Sequence, residues 1–143
     1  MIEIKDYPYK PNEAEAEKAS NAYLMSLVAI IAGLPLPIIN LIATLIFFLN
    51  NLKSSGFVKW HCKQALFSQL GVFLMNSTAI VWGLSIVFKD NPLTNNYIAY
   101  VITVIIFNIL ELTGTIVAAI YTRKGQHVEW WFFGPMVNIL QKQ

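Results

Sequence analysis

Long stretches without charge dominate the pattern of polar and apolar positions along the chain. Residues 19–52 and 64–88 carry no charged side chain, and residues 91–122 carry only Glu111. A helix that rises about 1.5 Å per residue crosses a hydrocarbon core of about 30 Å in about 20 residues. The pattern therefore predicts an all-α, polytopic membrane protein.

The first uncharged stretch, residues 23–49, is interrupted by Pro35 and Pro37. Prolines remove amide donors and bias the preceding residues away from helical angles, so we expect a short, proline-broken helical hairpin. Before it, Asn12 and Glu15 stand where a helix start needs a cap and its reciprocal acid, and this helix is expected to run on through Tyr23 into the membrane. Residues 1–11 have no apolar periodicity and are expected to form an irregular leader. We accordingly divide the chain into a polar N-terminal extension, residues 1–19, and a single membrane domain, residues 20–143.

The segment from Phe57 to Gln69, FVKWHCKQALFSQ, joins a basic and aromatic run to the second uncharged stretch. Basic and aromatic side chains of this kind anchor helices at the membrane surface. We therefore expect an interfacial basic helix, in which Phe57 and Trp60 lie in the interface while His61 and neighbouring lysines face lipid headgroups. It continues into a long transmembrane helix that ends near Phe88. The interfacial junction residues are Phe57, His61, Lys63, Gln64 and Gln69.

A turn at residues 89–92 reverses the chain, and residues 97–122 form the second long transmembrane helix. The tail that follows contains Trp130, Trp131, Phe132, Phe133 and a short apolar run. This run is too brief to cross a bilayer, so we expect an interfacial aromatic tail beside the basic junction.

The composition is typical of a membrane protein and argues against nucleic acid as a partner. The chain is 56% hydrophobic and 13% charged, and its net charge of +2 is too small to suggest nucleic acid as a partner. The lipid bilayer is the expected partner of the basic residues. A hairpin at the first stretch places nine of the ten lysines and arginines on one side, which predicts cytoplasmic N- and C-termini.

Glu111 is the sharpest candidate site, because an ionisable group within a transmembrane segment is expensive and is often functional. We expect it to be protonated or paired. One interpretation is a structural hydrogen bond to a neighbouring helix, for example to Asn76 or Asn40. The alternative is a role in transport or partner docking. The intramembrane polar set comprises Asn76, Asn108, Glu111, Gly114 and Thr115.

His61, Cys62 and His127 do not have the spacing of metal ligands, so we expect no metal site. His61 is instead expected to meet the tail near His127 or Glu129. Gln64, Ser68 and Gln69 either line a polar groove or bond one helix to another. The sequence lacks phosphate-loop, nucleophile-elbow and HExxH motifs, so we expect neither an enzyme nor a cofactor.

The junction motif also carries a resemblance. The pattern Phe-Val-x-x-His-x-Lys-Gln-Ala-Leu-x-x-Gln at residues 57–69, Pro-x-x-Asn at residues 37–40, and Gly125 before the aromatic-Pro tail are present here. Over residues 22–140 the chain resembles the Tic-twenty-like family of small bacterial membrane proteins, distant relatives of a chloroplast inner-envelope import component. The chain departs from the family pattern in having Phe67-Ser68 where Asn-Phe is usual before Gln69, and in its longer acidic N-terminal extension and Lys-Gln tail.

The resemblance implies a multi-pass protein of the bacterial inner (cytoplasmic) membrane, and no enzyme activity. Two functional hypotheses follow. In the first, the protein is an accessory or scaffold subunit of a larger membrane complex, with protein translocation or secretion as one setting, and its partners are other integral membrane proteins or further copies of itself. In the second, copies assemble into a homo-oligomeric channel or conduit for a solute or polypeptide, since so few helices cannot enclose a pore alone.

Overall fold

A computed structural model describes residues 2–28, 37–89 and 91–141. These residues form five helices and one two-stranded sheet. The helices are α1 (Glu13–Met25), α2 (Pro37–Asn50), α3 (Gly56–Phe88), α4 (Asn95–Arg123) and α5 (Phe133–Gln141), and the strands are β1 (Ile2–Lys5) and β2 (His127–Trp130).

The long helices confirm the predicted pair of apolar segments. Helix α3 has 33 residues and α4 has 29, and both are long and apolar enough to cross a membrane. Ser55 and Thr94 cap their first turns by accepting hydrogen bonds from backbone amides three residues on. Residue 90, in the expected turn between them, lies outside the described residues.

Helix α1 begins where the capping signal predicted and includes Tyr23, as expected. The Asn12 side chain accepts from the Glu15 amide at 2.9 Å, and the Glu15 carboxylate accepts from the Asn12 amide at 2.9 Å. The helix ends at Met25, where the Ser26 hydroxyl donates to the Tyr23 carbonyl at 2.6 Å. A hydroxyl that takes a helical carbonyl in this way competes with helix continuation. Residues 33–36 of the expected proline break lie outside the described residues.

The expectation of an irregular leader is wrong for residues 2–5, which form β1. This strand pairs antiparallel with β2, and the register places Ile2 opposite Trp130 and Lys5 opposite His127. The Lys5 ammonium also forms an ion pair with the buried carboxylate of Glu129, which raises the pKa of Lys5. The pairing brings the first described residues of the chain against the segment that follows α4.

The core lies where α1 packs against both long helices. Alanines at positions 16, 19 and 22 are buried, and small side chains let helix backbones approach closely. The Ser20 hydroxyl donates to the Ala119 carbonyl of α4 at 2.8 Å, which fixes this packing. Helix α2 packs against α3 and α1, and α5 packs against α3 and β2.

The junction helix is buried rather than interfacial at its start, so the expected placement of three residues is wrong. Phe57, Trp60 and His61 are each at most 1% exposed. They are covered by α1, β2 and the leader, an arrangement that a reading of α3 alone cannot reveal. The Trp60 indole donates to the Asn138 side chain of α5 at 2.8 Å, which holds the tail on the same surface.

Candidate functional site

The first part of the candidate site is a buried carboxyl group between the two long helices. One oxygen of Glu111, Oε1, accepts hydrogen bonds from Ser68 Oγ at 2.8 Å, Gln69 Nε2 at 2.7 Å and Thr115 Oγ1 at 2.9 Å. Thr115 lies one turn along α4, while Ser68 and Gln69 come from α3. Three donors on one oxygen satisfy a group that would be costly to bury alone.

The second oxygen of Glu111 differs from the first. Among the described residues it has no hydrogen-bond partner, and Glu111 lines a cavity between α3, α4 and the tail. The same carboxyl group therefore joins α3 to α4 through one oxygen and also reaches the cavity wall.

A second polar pair lies deeper along the same two helices. Asn76 and Asn108 exchange side-chain hydrogen bonds, with nitrogen-to-oxygen distances of 3.1 and 3.2 Å. The structure thus brings Asn76, Asn108, Glu111 and Thr115 to the contact between α3 and α4. The suggested bond from Glu111 to Asn76 is wrong, because the rotation of α3 presents Ser68 and Gln69 to the carboxyl group instead.

Gly114, the remaining member of the predicted polar set, lies under the tail. The Trp130 ring is packed so closely that a side chain at position 114 would meet it at 3.3 Å. This glycine accommodates an aromatic side chain of the tail, so its place in the structure differs from that of its polar neighbours.

The second part of the candidate site is a chain of hydrogen bonds through the junction motif. Gln64 Nε2 donates to the Tyr23 hydroxyl at 2.8 Å. That hydroxyl is 2.7 Å from His61 Nδ1, and His61 Nε2 is 3.2 Å from His127 Nδ1. If Tyr23 donates to His61, then His61 Nε2 carries the proton and donates to His127, so every hydrogen bond of this series donates toward His127. The expected meeting of His61 with the tail is present in this contact.

Gln64 also holds the second strand directly. Its Nε2 donates to the Val128 carbonyl at 3.1 Å, and its Oε1 accepts from the Trp130 amide at 2.9 Å. Gln64, Ser68 and Gln69 are each at most 1% exposed. They bond one element to another, as one of the two interpretations expected, and the groove interpretation is not supported.

Lys63, the remaining junction residue, is partly exposed beside this buried row. No group of three or more potential metal ligands occurs within residues 2–28, 37–89 and 91–141. The close approach of His61 to His127 is accounted for by a hydrogen bond between the rings.

Sequence reasoning missed Tyr23 and Trp130 as members of the site. Tyr23 is fully buried and joins α1 to His61 and Gln64, whereas Trp130 supplies a backbone amide and covers Gly114. The available signal was the position of Tyr23 in an otherwise apolar run, because a buried tyrosine hydroxyl needs a polar partner.

The two long helices, the buried junction and the start of the tail lie within a segment that matches a known family. A family model described as the magnetosome magnetite crystal formation protein family (MamF/MmsF) matches residues 17–137. The chain belongs to this family. Comparisons with curated proteins and with solved structures gave no match.

This finding overturns the resemblance to the Tic-twenty-like family, which was wrong. The matched segment contains the junction motif and both long helices, so the motif that suggested the resemblance lies within a different family. A role in protein translocation, which depended on that resemblance, is not supported.

Substitutions at Glu111 test the buried carboxyl group. Glu111→Gln keeps an oxygen that accepts the three hydrogen bonds, so we expect normal insertion and a small loss of stability. Glu111→Lys places a cation against three donors in a buried site and should prevent assembly. Glu111→Ala, which leaves those donors unpaired, should lower the free energy of unfolding by about 1–3 kcal/mol. Yield in the membrane fraction and thermal unfolding in mild detergent measure these effects. Normal yield and stability of the Lys variant would contradict a buried Glu111.

Because the imidazole of His127 is buried, the stability of the protein should depend on pH. Burial lowers the pKa of its imidazole below the ordinary value, although Glu129 opposes this shift and Lys5 reinforces it. In the unfolded chain His127 takes up a proton below a pH of about 6.5, whereas in the folded protein it does so only at a lower pH. Its contribution to stability is therefore complete above a pH of about 6.5 and declines as the pH falls toward the lowered pKa. Thermal unfolding between pH 7.5 and 5.5 should show this decline, and His127→Gln should reduce it. An equal decline in the variant would assign it to other groups.

Proposed function

We propose that this member of the magnetosome magnetite crystal formation protein family is a non-enzymatic scaffold subunit of the magnetosome membrane that takes part in crystal formation. The observation that carries the proposal is the family match over residues 17–137, which includes both apolar helices and the whole junction. The exposed apolar faces of the long helices and the internal pairing of their polar side chains favour a scaffold over an enzyme or a conduit.

The outer faces of the long helices suit contact with lipid and with other transmembrane helices. Toward the end of α3, Val87 is 70% exposed and Phe88 is 77% exposed, and α4 presents Ile102, Ile105 and Ile109 outward. A water-soluble protein rarely exposes apolar surface so continuously. These faces are available for the bilayer and for partner proteins, either other integral membrane proteins or further copies of this chain.

The use of polar groups supports a non-enzymatic role. Glu111, His61 and His127 bond one element of the fold to another, and Cys62 is buried. Catalytic groups are usually arranged in a cleft that a substrate can enter. Here the imidazoles of His61 and His127 are buried within the fold, and the cavity that Glu111 lines has no other titratable side chain among the described residues of its lining.

The pairing of polar side chains between α3 and α4 makes a homo-oligomeric conduit the weaker alternative. A conduit formed by several copies needs polar side chains that face outward from each copy to line a water-filled path. The intramembrane polar side chains Ser68, Gln69, Asn76, Asn108 and Glu111 instead face each other between α3 and α4. The exposed faces left for contact between copies are mostly apolar, and the hydroxyls of Thr78, Thr103 and Thr113 on them donate to backbone carbonyls of their own helices.

The sheet supports the predicted arrangement of the chain ends. Because β1 pairs with β2, residues near both ends lie together, as expected if the N- and C-termini share one side of the membrane. The enrichment of lysine and arginine on this side favours the cytoplasm. The bilayer that contains the protein is, on this proposal, the magnetosome membrane rather than the inner membrane in general.

Deletion of the gene in a magnetite-forming host tests the proposal. We expect magnetosome vesicles to persist while the number, size or shape of their crystals changes, because a scaffold acts on formation of the mineral. Electron microscopy measures both features. The wild-type chain and Glu111→Gln should restore the crystals, and a tagged wild-type chain should fractionate with magnetosomes. Crystals unchanged by the deletion would refute the function, and a tagged chain absent from magnetosomes would refute the location.

A further inference from the structure

A cavity of about 560 Å³ lies where the long helices emerge from the rest of the fold. Leu74 of α3 and Leu110 of α4 are exposed at its rim, and its lining also includes Glu111 of α4 and Trp130 and Phe133 of the tail. We propose that this cavity binds one acyl chain of a membrane phospholipid, with the ester group of that chain next to Glu111.

Two glycines shape the cavity. A side chain at Gly71 would meet the Phe133 ring at 3.3 Å, and one at Gly114 would meet the Trp130 ring at 3.3 Å. The tail aromatics therefore sit directly on the backbones of α3 and α4. Together with both long helices they line the cavity, whose exposed rim includes Leu74 and Leu110.

The opening faces a hydrocarbon environment. Leu74 is 57% exposed and Leu110 is 43% exposed at the rim, on helix surfaces that are otherwise apolar. Protein interiors are close-packed, and side chains that line a space of this size gain dispersion contacts only when it is filled. Molecules that reach this opening through the bilayer are lipids and the side chains or helices of other membrane proteins.

The volume favours a lipid chain over a helix. A transmembrane helix is about 10 Å wide with its side chains and about 30 Å long, so it would need a groove along the whole span and not a cavity of this size. Ligand cavities of about 300–1,000 Å³ with apolar walls and few polar groups are typical of sites for small molecules. An acyl chain is narrow and flexible enough to enter between Leu74 and Leu110.

The one polar group on the wall also fits a lipid. The second oxygen of Glu111 accepts no hydrogen bond from the described residues, whereas Oε1 accepts three. In its protonated form the carboxyl group donates a hydrogen bond, and the ester carbonyl of a phospholipid accepts one. Trp131 is 74% exposed and Phe132 is 61% exposed beside the cavity. Exposed aromatic side chains are enriched at the level of the lipid headgroups, where the ester groups lie.

Native mass spectrometry of the protein from nanodiscs of phosphatidylethanolamine and phosphatidylglycerol tests this site. After release into mild detergent, the wild-type monomer should retain one phospholipid. Leu110→Trp fills the opening and should reduce the retained fraction at least tenfold. Ile109→Trp is the matched control, because Ile109 is 58% exposed on the same helix and does not line the cavity. It should retain lipid as the wild type does.

Equal retention by the two tryptophan variants, or no retained lipid in the wild type, would overturn the proposal. A wild-type dimer that Leu110→Trp alone dissociates would also overturn it, since a second copy would then occupy the cavity. If Leu110→Trp gives an abnormal circular dichroism spectrum, Leu74→Trp at the opposite rim takes its place with the same expected result. The outcome is independent of crystal formation, so it can fail while the proposed function stands.

Discussion

The rest of the structure depends on the hydrogen bonds of the Gln64 side-chain amide. It donates to the Tyr23 hydroxyl and the Val128 carbonyl and accepts from the Trp130 amide. One residue of α3 thus fixes α1 on one side and β2 on the other. Such bonds are stronger in a buried, low-dielectric site than in water, and loss of one partner there is correspondingly expensive.

The same constraint extends along α3 and divides the helix into two faces. Toward α4, Ser68, Gln69 and Asn76 find polar partners. On its outer face the second half of the helix is largely apolar and exposed, as at Ile80, Leu84 and Val87. This separation is what a bilayer requires, because polar groups must be satisfied within the protein while the surface meets hydrocarbon. It also leaves the outer faces of the long helices available for lipid and partner proteins, as the proposed scaffold role requires.

Local signals in the sequence predicted local structure well. Asn12 and Glu15 located the start of α1, and uncharged runs located α3 and α4, because these features depend on neighbouring residues. The pairing of β1 with β2 joins opposite ends of the chain, and four residues such as IEIK carry little signal for a strand. The burial of His61 was missed for the same reason. Glu111 was correctly singled out as needing partners, but their identity depends on the rotation of α3. The short junction motif was also insufficient to identify the family.

Hydrogen–deuterium exchange of the segment that contains β2 tests the role of Gln64 most directly. Gln64→Leu removes the acceptor of the Trp130 amide and the donor to Val128 while it retains a similar volume. The account predicts much faster exchange at residues 127–130 in this variant, and unchanged exchange in Gln126→Ala, which alters an exposed neighbour of the strand. Exchange in Gln64→Leu as slow as in the wild type would show that β2 is held by other contacts and would contradict the account.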